Sequence, residues 1–179
     1  MSFKNLAQSF FGCKRKTALP VDTPAPTFSL TSLSGEKRSL SDALQSGPVL
    51  LAFFKISCPV CQFAFPFLQR LYDRYGGGQF TFWAVSQNDA EDTRAFLDRY
   101  APGFPALLDD AGYPVSNAYG LTNVPTIFLI SPDGNIAMSS VGFSRSDFDR
   151  IASEAARVTA KPAASVFAAC ENIPDHKPG

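Results

Sequence analysis

The first half of the chain contains an unbroken apolar run, Val49-Leu-Leu-Ala-Phe-Phe54. A strand reads this way when helices cover both of its faces, so the run predicts a central, buried strand. Beyond it, Phe63, Ala64, Phe67, Leu68, Leu71, Tyr72 and Tyr75 recur at alternating steps of one and three, the stripe of a helix ended by Gly76-Gly77-Gly78. Pro66 falls inside that stripe and predicts a kink. Phe80-Thr-Phe-Trp-Ala-Val85 predicts a second buried strand, and Asp89 to Tyr100 a second helix with Thr93, Phe96, Leu97 and Tyr100 inward. Pro105 to Leu108 reads as a short strand and Val115 to Tyr119 as a short helix. Thr126 to Ile130 and Ile136 to Val141 read as strands joined by the turn Ser131-Pro-Asp-Gly-Asn135. Near the start, Thr27 to Leu30 and Lys37 to Leu40 flank Ser34-Gly35 as a hairpin. A last helix from Ser144 carries Phe148, Ile151, Ala155 and Val158 on one side. The order β-β-β-α-β-α-β-α-β-β-α predicts an α/β domain with a mixed sheet.

Three regions follow from this pattern. Residues 1–23 read as an N-terminal arm, with the basic run Lys14-Arg15-Lys16 and the first of several prolines; 24–160 as the compact domain; and 161–179, with Pro162, Pro174 and Pro178, as a flexible tail. The stretch Leu6 to Gly12 is short, broken by Gln8 and Ser9, and followed rather than preceded by its basic residues, the wrong order for a secretory signal. No window approaches the ~20 apolar residues that span a bilayer. A cytoplasmic location is the expectation.

Composition changes the picture by subtraction. Lys and Arg number 16, Asp and Glu 16, so the net charge is zero and no overall field draws the chain to nucleic acid or an anionic membrane. A single histidine, His176, leaves little room for a His-based triad or a multi-His metal site. The four cysteines become the chemical candidates, and only Cys58 and Cys61 are close in sequence.

Cys58-Pro59-Val60-Cys61 sits where the buried strand ends and the first long helix begins. A cysteine at a helix N-terminus faces unpaired N–H groups and the positive end of the helix dipole, which favour thiolate, so Cys58 is the expected nucleophile. Cys61, one turn on and on the same face, is the expected resolving thiol. Pro59 suits the first helical position, where its missing N–H is not needed. A zinc site would need two further ligands, and only Cys13, Cys170 and His176 remain, all in the arm and tail; no metal is expected. Two inert core thiols are harder to place at the polar mouth of the helix than within its apolar stripe.

Val124-Pro125-Thr126, immediately before a buried strand, completes a recognisable set. Strand, CxxC and helix together with this Val-Pro-Thr resemble the thioredoxin superfamily. Ala25-Pro26-Thr27-Phe28-Ser29-Leu30, the Gly35 turn, Ser39-Leu40-Ser41-Asp42, Cys61 to Phe65-Pro66, Tyr119-Gly120 and Phe128-Leu129-Ile130 with Asp133-Gly134 resemble its TlpA-like branch, related to the peroxiredoxins of the AhpC/TSA type. The resemblance implies a thioredoxin-like fold, a central mixed β-sheet flanked by helices with an N-terminal β-hairpin extension. It implies a thiol–disulfide oxidoreductase in which Pro125 is cis and Val124 offers its backbone to an extended substrate segment. No cofactor beyond the Cys58–Cys61 disulfide is implied. The partners would be protein or small-molecule disulfides and dithiols, with an upstream thiol protein.

The chain also departs from the family. Ala52 stands where thioredoxins carry a buried Asp, and Ala64 where many TlpA-like proteins carry a Glu, so both proton-handling carboxylates are absent. Lys55 either supplies positive charge that lowers the thiol pKa or is a strand-end lysine reaching for water. Ser57 replaces the usual Trp, opening the site. Pro59 precedes Val60, the order of glutaredoxins and DsbA-like oxidants, which leaves redox direction open. One alternative is a peroxiredoxin-like thiol peroxidase with antioxidant activity. Against it, Lys55 stands where Thr or Ser is expected, and Val124-Pro125 where an Arg is expected. Gln87 and Trp83 would serve a glutathione-peroxidase-like site, but Trp83 on an apolar strand reads as core. The other alternative is a redox-inactive binding protein. Cys13 and Cys170 either pair or are free, and free thiols are the default in a reducing cytosol.

Overall fold

Each helix that begins after a polar residue begins there for the same local reason. Ser39, Asp89 and Ser144 hold extended backbone and accept, through side-chain oxygen, the N–H of Asp42, Asp92 and Asp147, respectively. Such caps satisfy donors that the first helical turn leaves orphaned. The computed structural model describes residues 17–179, and in chain order it contains β1 (Ser29–Ser32), β2 (Lys37–Ser39), α1 (Leu40–Leu44), β3 (Val49–Phe54), α2 (Pro59–Tyr75), β4 (Thr81–Ser86) and α3 (Ala90–Tyr100). There follow β5 (Ala106–Leu108), α4 (Pro114–Ala118), β6 (Thr126–Ile130), β7 (Ile136–Val141), β8 (Phe143–Ser144), α5 (Arg145–Thr159) and β9 (His176–Lys177).

Seven strands form one sheet in the order β2-β1-β5-β4-β3-β6-β7. β3 runs parallel to β4 and antiparallel to β6, β4 runs parallel to β5, and the β1–β2 hairpin joins antiparallel to β5. The sheet is therefore mixed, with the hairpin extending one edge. The fold is thioredoxin-like.

β3 is buried at every position. Its alternation divides the core: Leu50, Ala52 and Phe54 face the cluster built with α2, α3 and α5, while Val49, Leu51 and Phe53 face one containing Leu40, Val115 and Tyr119. Rings tile both sides. Phe65 packs against Phe54 at 4.5 Å and Phe96 at 5.0 Å between centroids, and Phe53 against Tyr119 at 5.3 Å and Phe128 at 5.9 Å. Trp83 is core, meeting Phe28 edge to face. α2 continues through Pro66 to Tyr75.

The predicted order of major elements holds, with three additions: α1, β8 and β9. Each is five residues or fewer, too short for a periodicity to show. The expectation of a flexible tail over 161–179 needs correcting. The Tyr75 hydroxyl donates to the Pro162 carbonyl and accepts from the Ala164 N–H, both at 3.1 Å. Arg70 donates to the Val166 carbonyl at 2.8 Å and to both carboxylate oxygens of Glu171. That pair, with the Ala168 N–H, holds the Glu171 carboxyl at about 2. Phe167 is 7% exposed and packs on Phe67 at 5.0 Å, on Phe143 and on Phe148. Proline content argued for disorder, but two apolar side chains, Val166 and Phe167, had an open edge of the aromatic core to cover.

The described end of the arm also packs. Leu19 N–H donates to the Tyr119 carbonyl, and Asp22 N–H to that of Ile136. The arm crosses directly over Gly120, where a Cβ would lie 2.4 Å from the Thr17 carbonyl oxygen. Cys13 lies outside the described residues. No helix among the described residues is long and apolar enough to cross a membrane.

Phe167→Ala tests the anchored tail. Removing a ring from this four-phenylalanine contact should cost about 3 kcal/mol in urea unfolding, whereas a loose tail would leave stability unchanged.

Candidate active site

At the end of β3 the chain turns through Lys55, Ile56 and Ser57, and the Cys58 N–H closes the turn on the Lys55 carbonyl at 3.2 Å. Cys58 then stands at the N-cap of α2, with φ −84° and ψ 114°, and its sulfur accepts the Cys61 N–H at 3.2 Å. Here sulfur does what oxygen does at Ser39, Asp89 and Ser144. Pro59 occupies the first helical turn and is exposed; Val60 is half-buried.

The peptide groups on both sides of the turn's central residue, Ile56, are held. The Ile56 N–H donates to Asn88 Oδ1 at 3.1 Å, and the Ile56 carbonyl accepts from Gln62 Nε2 at 2.9 Å. Asn88 is placed by the end of β4, where Ser86 Oγ accepts its N–H and also shares a 2.6 Å hydrogen bond with Thr93. Neither Asn88 nor Gln62 was among the residues singled out from the sequence. The available signal was a polar pair, Gln87-Asn88, at the carboxyl end of a parallel strand, where α/β sheets gather functional groups.

From the other side comes the loop before β6. The Val124–Pro125 peptide bond is cis, and the Val124 carbonyl accepts the Cys58 thiol at 3.1 Å. The loop is fixed by Thr126 Oγ1 donating to the Asn123 carbonyl at 2.8 Å and by the Gly142 N–H donating to that of Pro125 at 2.7 Å. Val124 is half-buried and Pro125 buried. The structure thus brings Cys58, Cys61, Val124 and Pro125 together.

The two thiols are free and lie in different surroundings. Cys58 is half-buried; Cys61 is fully buried. Burial, then the hydrogen bond and charge of Cys58, push the Cys61 thiol well above the ordinary cysteine range. Ala52 and Ala64 are both fully buried in the same cluster as Cys61. The Lys55 ammonium lies 5.1 Å from the centre of the Tyr113 ring. Tyr113 is itself held in a left-handed conformation ahead of α4, whose first N–H groups, of Val115 and Ser116, donate to buried Asp109. Among the described residues no three His, Cys, Asp or Glu side chains gather as metal ligands would, and Cys170 is exposed, in the tail.

A model of the AhpC/TSA family matches residues 21–139, a span that holds both cysteines and the cis proline. The chain belongs to the AhpC/TSA family. Within it the chain is TlpA-like, a member of the thioredoxin superfamily. The thiol-disulfide oxidoreductase ResA of Bacillus thuringiensis (strain Al Hakam) is 32% identical over 141 residues, 76% of this chain and 78% of the relative. The thioredoxin-like protein YneN of Bacillus subtilis (strain 168) is 34% identical over 142 residues, 77% and 80% of the two chains. Among solved structures, the thioredoxin domain of a thiol-disulfide oxidoreductase from Bacteroides vulgatus superposes with a TM-score of 0.63 at 25% identity, over 70% of this chain and 91% of that one.

The grip on Ile56 is open to direct test. Asn88→Ala in this AhpC/TSA chain should lower stability by about 1 kcal/mol or more by leaving the Ile56 N–H without its acceptor, and Asn88→Asp, which keeps an acceptor, should recover most of the loss in the same urea titration.

Proposed function

We propose that Cys58 and Cys61 carry out dithiol–disulfide exchange, Cys58 as nucleophile and Cys61 as resolving thiol. The chain is a thiol–disulfide oxidoreductase; the proposal concerns how it works. The observation that carries it is the unequal exposure of two neighbouring thiols, the half-buried one of Cys58, whose sulfur accepts the Cys61 backbone N–H, and the buried one of Cys61. The half-exposed sulfur meets the substrate. The buried one meets only Cys58.

In the reducing direction Cys58 attacks one sulfur of a substrate disulfide. The Cys58–substrate disulfide forms, the substrate S–S bond breaks, and the departing thiolate takes the proton that Cys58 gave up. Cys61 then attacks the Cys58 sulfur, the Cys58–Cys61 disulfide forms, and the second half leaves as a thiol carrying the Cys61 proton. Two electrons pass from the protein to the substrate. With alanines at 52 and 64, the departing thiolate is itself the base for Cys61, which keeps its proton until a leaving group arrives. Such a thiol waits protonated rather than reacting first.

Val124 and Pro125 wall the site where a substrate chain lies beside Cys58, Pro59 and Val60 shape the mouth, and Lys55 supports the turn from its place over Tyr113. Substrates are protein or small-molecule disulfides or dithiols, and electrons are exchanged with a further thiol protein. A peroxidase would need a cation to hold peroxide oxygens at the sulfur; the sulfur's hydrogen-bond partners are instead the Cys61 amide and the Val124 carbonyl.

The two thiols separate under mutation. Cys58→Ser should reduce exchange with glutathione disulfide to the uncatalysed background. Cys61→Ser should stop at a stable mixed disulfide on Cys58, seen in the mass spectrum as an adduct of one glutathione. Continued turnover by either variant would overturn the assignment.

A further inference from the structure

The segment Asp175–Gly179 runs from β8 to the cis-proline loop of the site just described. β9 pairs antiparallel with β8, Phe143 opposite Lys177 and Ser144 opposite His176, and the Arg145 N–H donates to the Asp175 carbonyl at 2.9 Å. The segment then runs over Gly142, φ +81°, where a Cβ would lie 2.3 Å from the Lys177 carbonyl oxygen and 2.8 Å from the Gly179 nitrogen. It reaches the loop that carries the cis proline: Asn123 Nδ2 donates to the Gly179 main-chain oxygen at 3.0 Å. At Gly179 itself, a Cβ would lie 2.9 Å from the Val124 carbonyl oxygen, the atom that accepts the Cys58 thiol.

We propose that Asp175–Gly179 is a displaceable internal occupant of the substrate groove, so that this chain admits small disulfides freely and extended protein disulfides only when the segment swings away. The inference rests on the exchange reading above.

Two features mark an occupant rather than a wall. Its attachment is slight: the ladder is two residues long, a length with little stability of its own, and Asp175, His176, Pro178 and Gly179 are exposed. Lys177 alone is half-buried, its ammonium 4.6 Å from the centre of the Phe63 ring. The anchor is elsewhere, at buried Val166 and Phe167, so this segment can move aside without uncovering the core. Its mode of attachment is also the one an extended peptide would use, main-chain pairing along a short strand edge followed by close approach to the Val124 backbone. A tethered competitor for that edge acts at high effective concentration. Glycine at 179 is what permits so close an approach to Val124.

The experiment compares two oxidants of the reduced protein: glutathione disulfide, and a linear peptide dimer joined by one disulfide in mid-sequence. Deletion of residues 175–179 from the otherwise full chain should speed the peptide reaction by about tenfold, as for a groove open ~10% of the time, with the glutathione disulfide rate unchanged. Lys177→Ala should move in the same direction by less. In Cys61→Ser trapped with the peptide, the main-chain amides of β9 should lose hydrogen-exchange protection. Equal acceleration of both oxidants, no acceleration, or a slower peptide reaction would overturn the proposal, and should the deletion fail to fold, Lys177→Ala and the exchange pattern decide. Failure of every variant, and of the unaltered chain, to react with glutathione disulfide would instead refute the exchange reading.

Discussion

One hydrogen bond organises the site: the Cys61 N–H donated to the sulfur of Cys58. A helix start must give its first N–H groups an acceptor, and at α1, α3 and α5 an oxygen side chain does so. At α2 the acceptor is the thiol sulfur, so the atom that closes the helix is also the atom offered to the substrate. The bond has a fixed origin because β3, buried on both faces, delivers the chain to that point. Ile56, its N–H held by Asn88 and its carbonyl by Gln62, fixes the turn between them. Disturbing the turn therefore disturbs cap and chemistry together.

The aromatic core explains the inequality of the thiols. α2 is pressed onto the sheet by rings at 65, 67 and 75, which draws its first inward residue, Cys61, out of water while Cys58 stays at the rim. Small side chains at 52 and 64 let the helix seat closely and leave Cys61 without a neighbouring carboxylate. Burial then keeps the Cys61 proton in place. The same aromatic layer extends through Phe143, Phe148 and Phe167 to the tail, so the packing that shapes the site also anchors the chain that leads to the segment beside the cis-proline loop.

Much of this was legible in the sequence where the signal was long and local. The apolar run at 49–54, the stripe from Phe63 to Tyr75 and the strand–CxxC–helix order predicted the sheet and its principal helices, and the resemblance implied the cis bond that the structure contains. What escaped notice was either too short for a period to show, as in five-residue α1 behind its local Ser39 cap, or dependent on contacts distant in sequence: β8 and β9 follow from each other, and the packed tail from an aromatic edge assembled by α2 and α5. Asn88 belongs to a polar pair that periodicity ignores, and its acceptor role exists only because β3 and β4 end side by side. The Tyr113 ring beside Lys55, far along the chain, likewise could not be read from the sequence.

The central claim is that Cys58 and Cys61 form one two-electron couple. It is tested most directly by equilibrating the protein in graded thiol–disulfide buffers and following both thiols by mass. The account predicts that both are lost together, along a single curve in which a tenfold change in the ratio of oxidised to reduced protein spans about 30 mV. Oxidation of Cys58 while Cys61 stays a free thiol at every potential would contradict it, and would point to single-thiol chemistry at Cys58 instead.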